Sequence, residues 1–172
     1  MVVPHEERVQ PFEADESVVP YELDEELFYD HVYAQGGSRL LSDKPWFIDF
    51  YAPWCGYSKR IEPVWDKLRA HHEKDGDVNI GKVDCTSPSG KRLCKYFTIP
   101  GYPSLLYFPV TNIDDPETIG YWDYNGQRTL EALEVVAQDN GWKFGVHRKF
   151  PGAQGPQQKW ESMYGRRFGS TF

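Results

Sequence analysis

Residues 44–59 of the chain read KPWFIDFYAPWCGYSK, and a strand pattern meets a helix pattern within them. Residues 44–54 are a short apolar and aromatic run with a proline near each end, which is typical of a strand buried on both faces of a sheet. From residue 58 to 70, apolar side chains recur with helical spacing: Ile61, Val64, Trp65 and Leu68. Cys55 therefore lies at a helix N-terminus, where free N–H groups and the helix dipole favour a thiolate. This placement makes Cys55 the candidate reactive sulfur.

Strands and helices alternate along the rest of residues 19–142. Further strands are predicted at 78–84, 104–108 and 120–124, and further helices around 93–97 and at 129–139. Residues 19–23 and 24–34 could add one more strand and one more helix. This alternation indicates an α/β domain with a mostly parallel sheet.

Composition excludes several classes of protein. Of the 172 residues, 40% are hydrophobic and 26% are charged, which is not the composition of a disordered chain. The net charge of −7 argues against a nucleic-acid partner, because nucleic-acid binding needs a basic surface. No apolar run reaches the length of about 18 residues that a membrane span needs, so no transmembrane segment is expected.

Charge separates two extensions from the middle of the chain. Residues 1–30 carry a net charge of −9, whereas residues 143–172 carry +5 together with six aromatic side chains. We therefore divide the chain into an acidic N-terminal extension, 1–18, a domain, 19–142, and a basic, aromatic C-terminal extension, 143–172. Aromatic and arginine side chains are enriched at interfaces, so the extensions are expected to lie on partner subunits of a hetero-oligomer. The alternative is that they fold back on the domain, acidic against basic.

A family resemblance starts from the same stretch. Residues 50–56, FYAPWCG, resemble the active-site strand and turn of the thioredoxin fold, in its protein disulfide isomerase branch. Further matching positions are Asp49, Pro63, the GYPS of residues 101–104 and the YNGQR of residues 124–128. The resemblance covers about residues 19–142, and it implies a thioredoxin-like fold with a central mixed sheet flanked by helices.

The resemblance also implies a role for each matching residue. Cys55 would be the nucleophile that captures client proteins, and Pro103 would be a cis-proline that forms the wall of the client groove. Asp49 and Arg128 would tune the thiol chemistry. The other contacts of the groove would come from Trp54, Gly56, Tyr57 and Tyr102.

Ser58 is the main departure from the Cys-x-x-Cys motif of the family. A hydroxyl cannot replace the second thiolate, which resolves a mixed disulfide by intramolecular attack. Cys55 could still attack a client disulfide, but release would need a thiol of the client or an external thiol. The sequence therefore predicts at most a monothiol isomerase activity without dithiol cycling, and it leaves the family roles of Asp49 and Arg128 open.

The other cysteines and the histidines do not predict a metal site. Cys85 and Cys94 resemble a structural pair of some isomerase-like domains, which implies a disulfide in an oxidising compartment and two buried thiols otherwise. Two sulfurs alone make a weak zinc site, and neither a metal nor a cofactor is expected. His71 and His72 are adjacent, so we expect them to point to different sides of a helix and to be solvated.

Two other functions stay open on the sequence alone. The first is a catalytically inactive thioredoxin-fold accessory subunit, which scaffolds a larger protein assembly through its extensions. The second follows from residues 55–58, which also resemble the motif of monothiol glutaredoxins, whose cysteine can hold an iron–sulfur cluster with glutathione. The flanking residues are isomerase-like, however, and no further cluster ligands are visible.

The compartment is not fixed by the sequence. Residues 1–20 show neither a secretory signal nor a transit peptide, and the final GSTF is not a retrieval signal of the endoplasmic reticulum. The resemblance to isomerases suggests the lumen of the endoplasmic reticulum, whereas the missing signals leave the mitochondrion or another organelle open. The expected partners are protein clients or protein subunits.

Overall fold

The computed structural model describes residues 18–35, 39–138 and 141–151. The strands are β1 (Glu22–Leu23), β2 (Trp46–Tyr51), β3 (Asn79–Asp84), β4 (Ser104–Phe108), β5 (Tyr121–Tyr124) and β6 (Val146–Arg148). The helices are α1 (Glu25–His31), α2 (Gly56–His72), α3 (Pro88–Tyr96) and α4 (Leu130–Gln138). No helix among these residues is long and apolar enough to span a bilayer. Most of the two predicted extensions, 1–17 and 152–172, lies outside the described residues.

The strands form one six-stranded sheet in the order β1-β3-β2-β4-β5-β6. β3 runs parallel to both β1 and β2, whereas β4 is antiparallel to β2, β5 to β4 and β6 to β5. The expectation of a mostly parallel sheet is therefore wrong, and the mixed sheet implied by the family resemblance is confirmed. The reason is that a helix between two strands permits either strand direction, so the alternation of elements does not fix it.

Two faces of the sheet carry separate apolar cores. One core lies under α1 and α3 and contains Phe50 and Phe97, and the other lies under α2 and α4 and contains Phe47 and Trp65. β2 therefore sends side chains into both cores and is buried on both faces, as its apolar sequence predicts. The Trp65 indole N–H also donates to the carbonyl of Gly81 at 2.9 Å, which fixes α2 against β3. This packing sets the position of the β2–α2 junction.

Capping differs among the helices. The side chain of Asp24 accepts the Leu27 N–H at 2.8 Å where α1 begins, and the Ser87 hydroxyl accepts the Gly90 N–H at 3.0 Å where α3 begins. α2 begins after Cys55, whose side chain makes no cap hydrogen bond. α2 therefore begins without the side-chain cap that α1 and α3 have.

The chain continues to pack on the sheet after residue 142. β6 pairs with β5, and Phe150 is buried against the rings of Tyr33, Phe97, Phe108 and Tyr121. β6 is not among the strands predicted from the sequence, because its three side chains are exposed and show no apolar alternation. The described part of the C-terminal extension therefore contributes to the core of its own chain.

Two adjacent histidines join α2 to α4. His71 Nδ1 and His72 Nε2 contact the two carboxylate oxygens of Glu134 at 2.6 and 2.7 Å. The expectation of a solvated side chain is confirmed for His71, which is exposed, and wrong for His72, which is buried. The expectation that the two rings point apart is also wrong, because one carboxylate contacts both of them. Burial disfavours the charge of Glu134, but the two histidine hydrogen bonds outweigh burial and hold its pKa below the ordinary value.

Glu134→Gln is expected to lower the free energy of unfolding by about 1 to 2 kcal/mol at neutral pH, because the charged acceptor of both rings is lost. A carboxyl whose pKa is lowered by folding stabilises the protein above its unfolded pKa, and this stability is lost as the pH falls through the folded pKa. The difference between the two proteins should therefore be complete above the ordinary glutamate pKa of about 4.3 and should shrink as the pH falls below it. Urea denaturation across this pH range measures it. Glu131→Gln, at an exposed position of the same helix, is the control, and an equal loss in both variants would contradict the prediction.

Candidate active site

Cys55 lies at the junction of β2 and α2. Its N–H donates to the Ala52 carbonyl and its own carbonyl accepts the Lys59 N–H, both at 3.0 Å. These bonds make Cys55 the N-cap residue of α2, with an extended backbone. The thiol is free and partly exposed. The local fold therefore presents this sulfur at the surface, at the end of a buried strand.

The first turn of α2 lowers the pKa of the Cys55 thiol. The backbone N–H of Ser58 contributes most, and the Tyr57 N–H, the Ser58 hydroxyl and the positive charge of Arg128 act in the same direction. Desolvation acts against them and is outweighed. Because these groups stabilise a negative sulfur, the thiolate, which is the nucleophilic form, is more accessible than in a cysteine with an ordinary pKa.

The cis-proline loop faces this sulfur. The Tyr102–Pro103 peptide bond is cis, and the Cys55 sulfur lies 3.6 Å from the Tyr102 carbonyl oxygen. Trp54 is 69% exposed and meets the Tyr102 ring edge-on, with 5.9 Å between the ring centroids. Tyr57 is also largely exposed. The structure thus brings four residues of the predicted groove around the Cys55 thiol: Trp54, Tyr57, Tyr102 and the cis-proline Pro103.

Gly56 follows Cys55 at the first position of α2. A Cβ built on Gly56 would have no atom within 4 Å, so open space lies beside the backbone next to the thiol. A partner could therefore approach Cys55 closely from this side.

Ser58 is buried beside Cys55. Its side chain is 4% exposed, and its hydroxyl oxygen accepts the Ala52 N–H at 3.3 Å. The same hydroxyl helps to lower the pKa of the Cys55 thiol, so the two side chains are neighbours. The turn therefore has the layout of a dithiol motif with an oxygen in place of the second sulfur.

Asp49 lies behind this turn in the protein interior. It is 3% exposed, and its Oδ1 atom has no hydrogen-bond partner among the described residues. Burial raises the pKa of Asp49 to about 7, although the charges of Lys82 and Arg128 act in the opposite direction. A cavity of about 20 Å³ connects Asp49 with Ser58, Glu62 and Lys82, and this volume is enough for one water molecule.

Arg128 approaches the site from the loop between β5 and α4. Its Nη2 atom donates to the Pro103 carbonyl at 3.3 Å, and the side chain is exposed. Its positive charge helps to lower the pKa of Cys55, and it opposes the larger effect of burial that raises the pKa of Asp49. Arg128 and Asp49, for which the family resemblance implies a tuning role, therefore lie on different sides of the turn.

Cys85 and Cys94 form a disulfide between the end of β3 and α3. Both residues are buried, and the Cys85 N–H donates to the carbonyl of Tyr51, the last residue of β2. The disulfide therefore lies beside the end of β2, where the chain continues into the Cys55 turn. Among the described residues, no group of histidine, cysteine, aspartate and glutamate side chains could hold a metal ion.

The sequence profile of the thioredoxin family matches residues 22–138. The chain belongs to the thioredoxin family. Its relatives include a protein disulfide-isomerase-like protein of Emiliania huxleyi, EhSep2, with 40% identity over 100 residues that cover 58% of this chain and 42% of that protein. Another is the protein disulfide-isomerase erp38 of Neurospora crassa, with 36% identity over 106 residues that cover 62% of this chain and 26% of that protein.

This thioredoxin domain is similar to solved isomerase-like structures as well. The J-Trx1 fragment of ERdj5 matches with a TM-score of 0.54 and 25% identity, over 70% of this chain and 51% of that chain. The first two thioredoxin domains of Naumovozyma dairenensis Eps1p match with a TM-score of 0.55 at 19% identity, over 74% and 43%, which shows the fold alone. The chain spans less than half the length of the curated relatives named above, so it corresponds to one part of those proteins.

Lys82 is a residue of the site that the sequence of this thioredoxin domain did not reveal. It lies directly beside Asp49 in the parallel pairing of β2 with β3, and it lines the same small cavity. In the sequence it is only one polar residue of an alternating strand. The signal that could have found it is the register between the two strands, which no local pattern fixes.

Proposed function

We propose that this isomerase-like thioredoxin domain is a monothiol in which Cys55 forms mixed disulfides with client proteins. One observation carries the proposal: an accessible thiol with a lowered pKa faces the cis-proline loop, while a buried hydroxyl takes the place of the second thiol. In this proposal the client lies against Pro103. The further contacts come from Trp54, Gly56, Tyr57 and Tyr102.

The exchange reaction needs no oxidant. The Cys55 thiolate attacks one sulfur of a client disulfide, a new S–S bond forms, and the other client sulfur leaves as a thiolate that takes a proton from water. A thiol of the client or a small external thiol then attacks the mixed disulfide, and Cys55 leaves as a thiolate. When the second thiol belongs to the client, the number of disulfides is unchanged and the client has been isomerised.

The absence of a second thiol at Ser58 limits the domain to this exchange. Because Ser58 has no sulfur, the domain cannot hold the disulfide that a net oxidant would donate to its client. A client without a suitably placed thiol stays attached until an external thiol releases it. In this proposal Arg128 favours the Cys55 thiolate, and Asp49 has no second thiol to deprotonate.

Cys55→Ala is expected to abolish every covalent adduct of the domain. Two measurements check this: the release of thiol from a small aromatic disulfide, and reductant-sensitive adducts on non-reducing gels after rapid alkylation of the full chain. Ser58→Ala is the matched control, since it also replaces one residue of the turn by alanine but keeps the sulfur, and it should keep the adducts. If the unaltered chain does not react with the small disulfide faster than a thiol with an ordinary pKa, the proposal is wrong.

The second candidate is a non-catalytic accessory subunit that scaffolds a larger assembly through its extensions. The observation that favours it is the replacement of the resolving thiol by Ser58 in an otherwise preserved turn. The same experiment separates the two functions. A scaffold would keep its partners after Cys55→Ala and in the presence of reductant, and it would lose them when residues 1–17 or 152–172 are removed.

The disulfide between Cys85 and Cys94 supports an oxidising compartment, because disulfides persist there and are rare where thiols are kept reduced. Together with the isomerase relatives, it supports the lumen of the endoplasmic reticulum as the location, ahead of the mitochondrion. The proposed partners are disulfide-bonded or thiol-bearing client proteins, and membership of a hetero-oligomer belongs to the second candidate.

A further inference from the structure

An open groove of about 570 Å³ lies beside the cis-proline loop, on the face of the sheet that carries α3. One wall is the segment 97–100 that follows α3, and the other wall is formed by β6 and the residues after it. The floor comes from β4 and β5 and includes Leu106 and Tyr121. A cavity of this volume is within the range of about 300–1,000 Å³ that is typical of ligand sites. None of the residues proposed to contact the client around Cys55 lines it.

The groove borders the cis-proline loop of the proposed client site. Pro100 and Ser104 line the groove, and they flank the loop that contains Tyr102 and Pro103. The Cys55 sulfur lies 3.6 Å from the Tyr102 carbonyl, which is two residues away from both flanking positions. Since an extended chain advances about 3.3 Å per residue, a segment held at Cys55 can reach the groove within about two to four residues.

The walls of the groove combine apolar surface with an excess of positive charge. Ile99, Pro100 and Pro151 present apolar surface. Arg148 pairs with Asp123, with 3.4 Å between Nε and Oδ2, so these two charges offset each other. Lys149 is exposed and has no ion-pair partner among the described residues. The groove therefore favours a ligand that carries both an apolar and an acidic side chain.

We propose that this groove is a second client subsite, which binds an extended client segment with an apolar residue followed by an acidic one, two to four residues from the captured cysteine. The proposal rests on the proposed function, because it assigns the occupant of the groove from the position of the groove beside the cis-proline loop that faces Cys55. Such a subsite would make the domain select client cysteines that have this pair of residues nearby. A client with this neighbouring pair is held non-covalently while Cys55 exchanges with its disulfide.

The test measures non-covalent binding to the full chain carrying Cys55→Ala, so it does not depend on thiol chemistry. The probes are fluorescent ten-residue peptides with one alkylated cysteine and a Phe-Glu pair two to four residues away on either side. Matched peptides carry Phe-Gln or Ala-Glu at the same place. Phe-Glu peptides of at least one spacing are expected to bind about threefold to tenfold more tightly than their matched peptides.

Charge reversal in the protein then locates the binding. Lys149→Glu should remove the preference for Phe-Glu over Phe-Gln, whereas Lys95→Glu, the same change at an exposed position of α3 that does not line the groove, should leave it intact. Equal binding of all peptides, or an equal effect of both substitutions, would overturn the proposal. It would also be overturned if the chain self-associates in sedimentation and Lys149→Glu abolishes this, because the groove would then be a contact between copies.

The two proposals can fail separately. If the Cys55 thiol reacts with the small aromatic disulfide but the peptides show no preference, only the second subsite is wrong. If the peptides bind as expected but the thiol is unreactive, the groove is a peptide site of a domain without exchange activity.

Discussion

Ser58→Cys is expected to convert the domain from one that accumulates mixed disulfides into one that releases them by itself. After reaction with the mixed disulfide of a single-cysteine peptide and a small aromatic thiol, which leaves no free thiol on the attached peptide, the unaltered chain should stay attached until an external thiol is added. The variant should release the peptide as a thiol and retain an internal disulfide. Release should accelerate on the order of a thousandfold or more over about 1 mM external thiol, since a positioned intramolecular group acts at a far higher effective concentration.

The geometry of the turn supports this size of effect. Residue 58 is in the first turn of α2, and both its N–H and its hydroxyl act directly on the Cys55 sulfur. The side chain is already buried in its packed position, where it accepts the Ala52 N–H. A thiol at this place would need no movement of the backbone to reach the mixed disulfide.

Mass spectrometry of acid-quenched samples follows the fraction of peptide adduct with time. Ser58→Ala is the control, because it changes the same position without adding sulfur and should release peptide as slowly as the unaltered chain. Persistence of the adduct in Ser58→Cys would mean that the turn does not hold position 58 against the sulfur. The monothiol behaviour would then have a cause other than the missing thiol.

Local sequence patterns predicted the elements that carry the site. The strand predicted at 104–108 is Ser104–Phe108 in the structure, and the helix predicted at 58–70 is the interior of Gly56–His72. Both segments are apolar with a clear period, and their burial follows from that pattern. The position of Cys55 between a buried strand and a helix therefore follows from local sequence alone.

Contacts between distant segments could not be derived in this way. β6 has exposed side chains and pairs with β5 only because the chain turns back after α4. His72 meets Glu134 62 residues away, and Lys82 meets Asp49 through strand register. Each of these contacts depends on which elements become neighbours, and that information is spread over the whole sequence rather than held in a local period.

For Asp49, on the interior side of the site, the sequence also predicted one part and only the structure shows the rest. The family resemblance identified Asp49 as a residue that would tune the thiol chemistry, but only the structure shows that Oδ1 has no partner among the described residues and that a cavity joins it to Ser58 and Lys82. These features determine the energy of the carboxyl, because burial without a hydrogen bond disfavours its charged form. The free energy of unfolding should therefore depend on whether the Asp49 carboxyl is protonated.

Asp49→Asn is expected to raise the free energy of unfolding by about 2 to 4 kcal/mol at pH 8, because one pKa unit corresponds to about 1.4 kcal/mol. Folding raises the pKa of Asp49 from 3.8 to about 7. Between these values the folded chain keeps a proton that the unfolded chain has lost. The stability that the protonated carboxyl contributes is complete below about pH 4 and is lost as the pH rises through about 7. Asparagine does not titrate, so the advantage of the variant should be near zero at about pH 4 and should grow up to about pH 7.

Urea denaturation of both proteins at intervals between pH 4 and 8 measures this difference. Asp75→Asn, the same substitution at an exposed position, is the control and should give little change at any pH. A difference between Asp49→Asn and the unaltered chain that does not vary with pH would show that the carboxyl keeps its ordinary pKa in the fold. The cost of burying its charge would then be offset by the nearby Lys82 and Arg128.

The two substitutions can also be combined, and the combination tests what Asp49 does. In the Ser58→Cys background the introduced thiol must lose a proton before it attacks the mixed disulfide. A carboxyl with a pKa near 7, joined to residue 58 by a cavity large enough for one water molecule, is placed to accept that proton. Adding Asp49→Asn should therefore slow peptide release about tenfold to a hundredfold near neutral pH, although it stabilises the fold. In the monothiol chain the same substitution should leave the reaction of Cys55 with the small disulfide nearly unchanged, because the groups that lower the pKa of this thiol are those of the first turn of α2 and Arg128, not Asp49. Equal slowing in both backgrounds would place the effect of Asp49 on Cys55 itself.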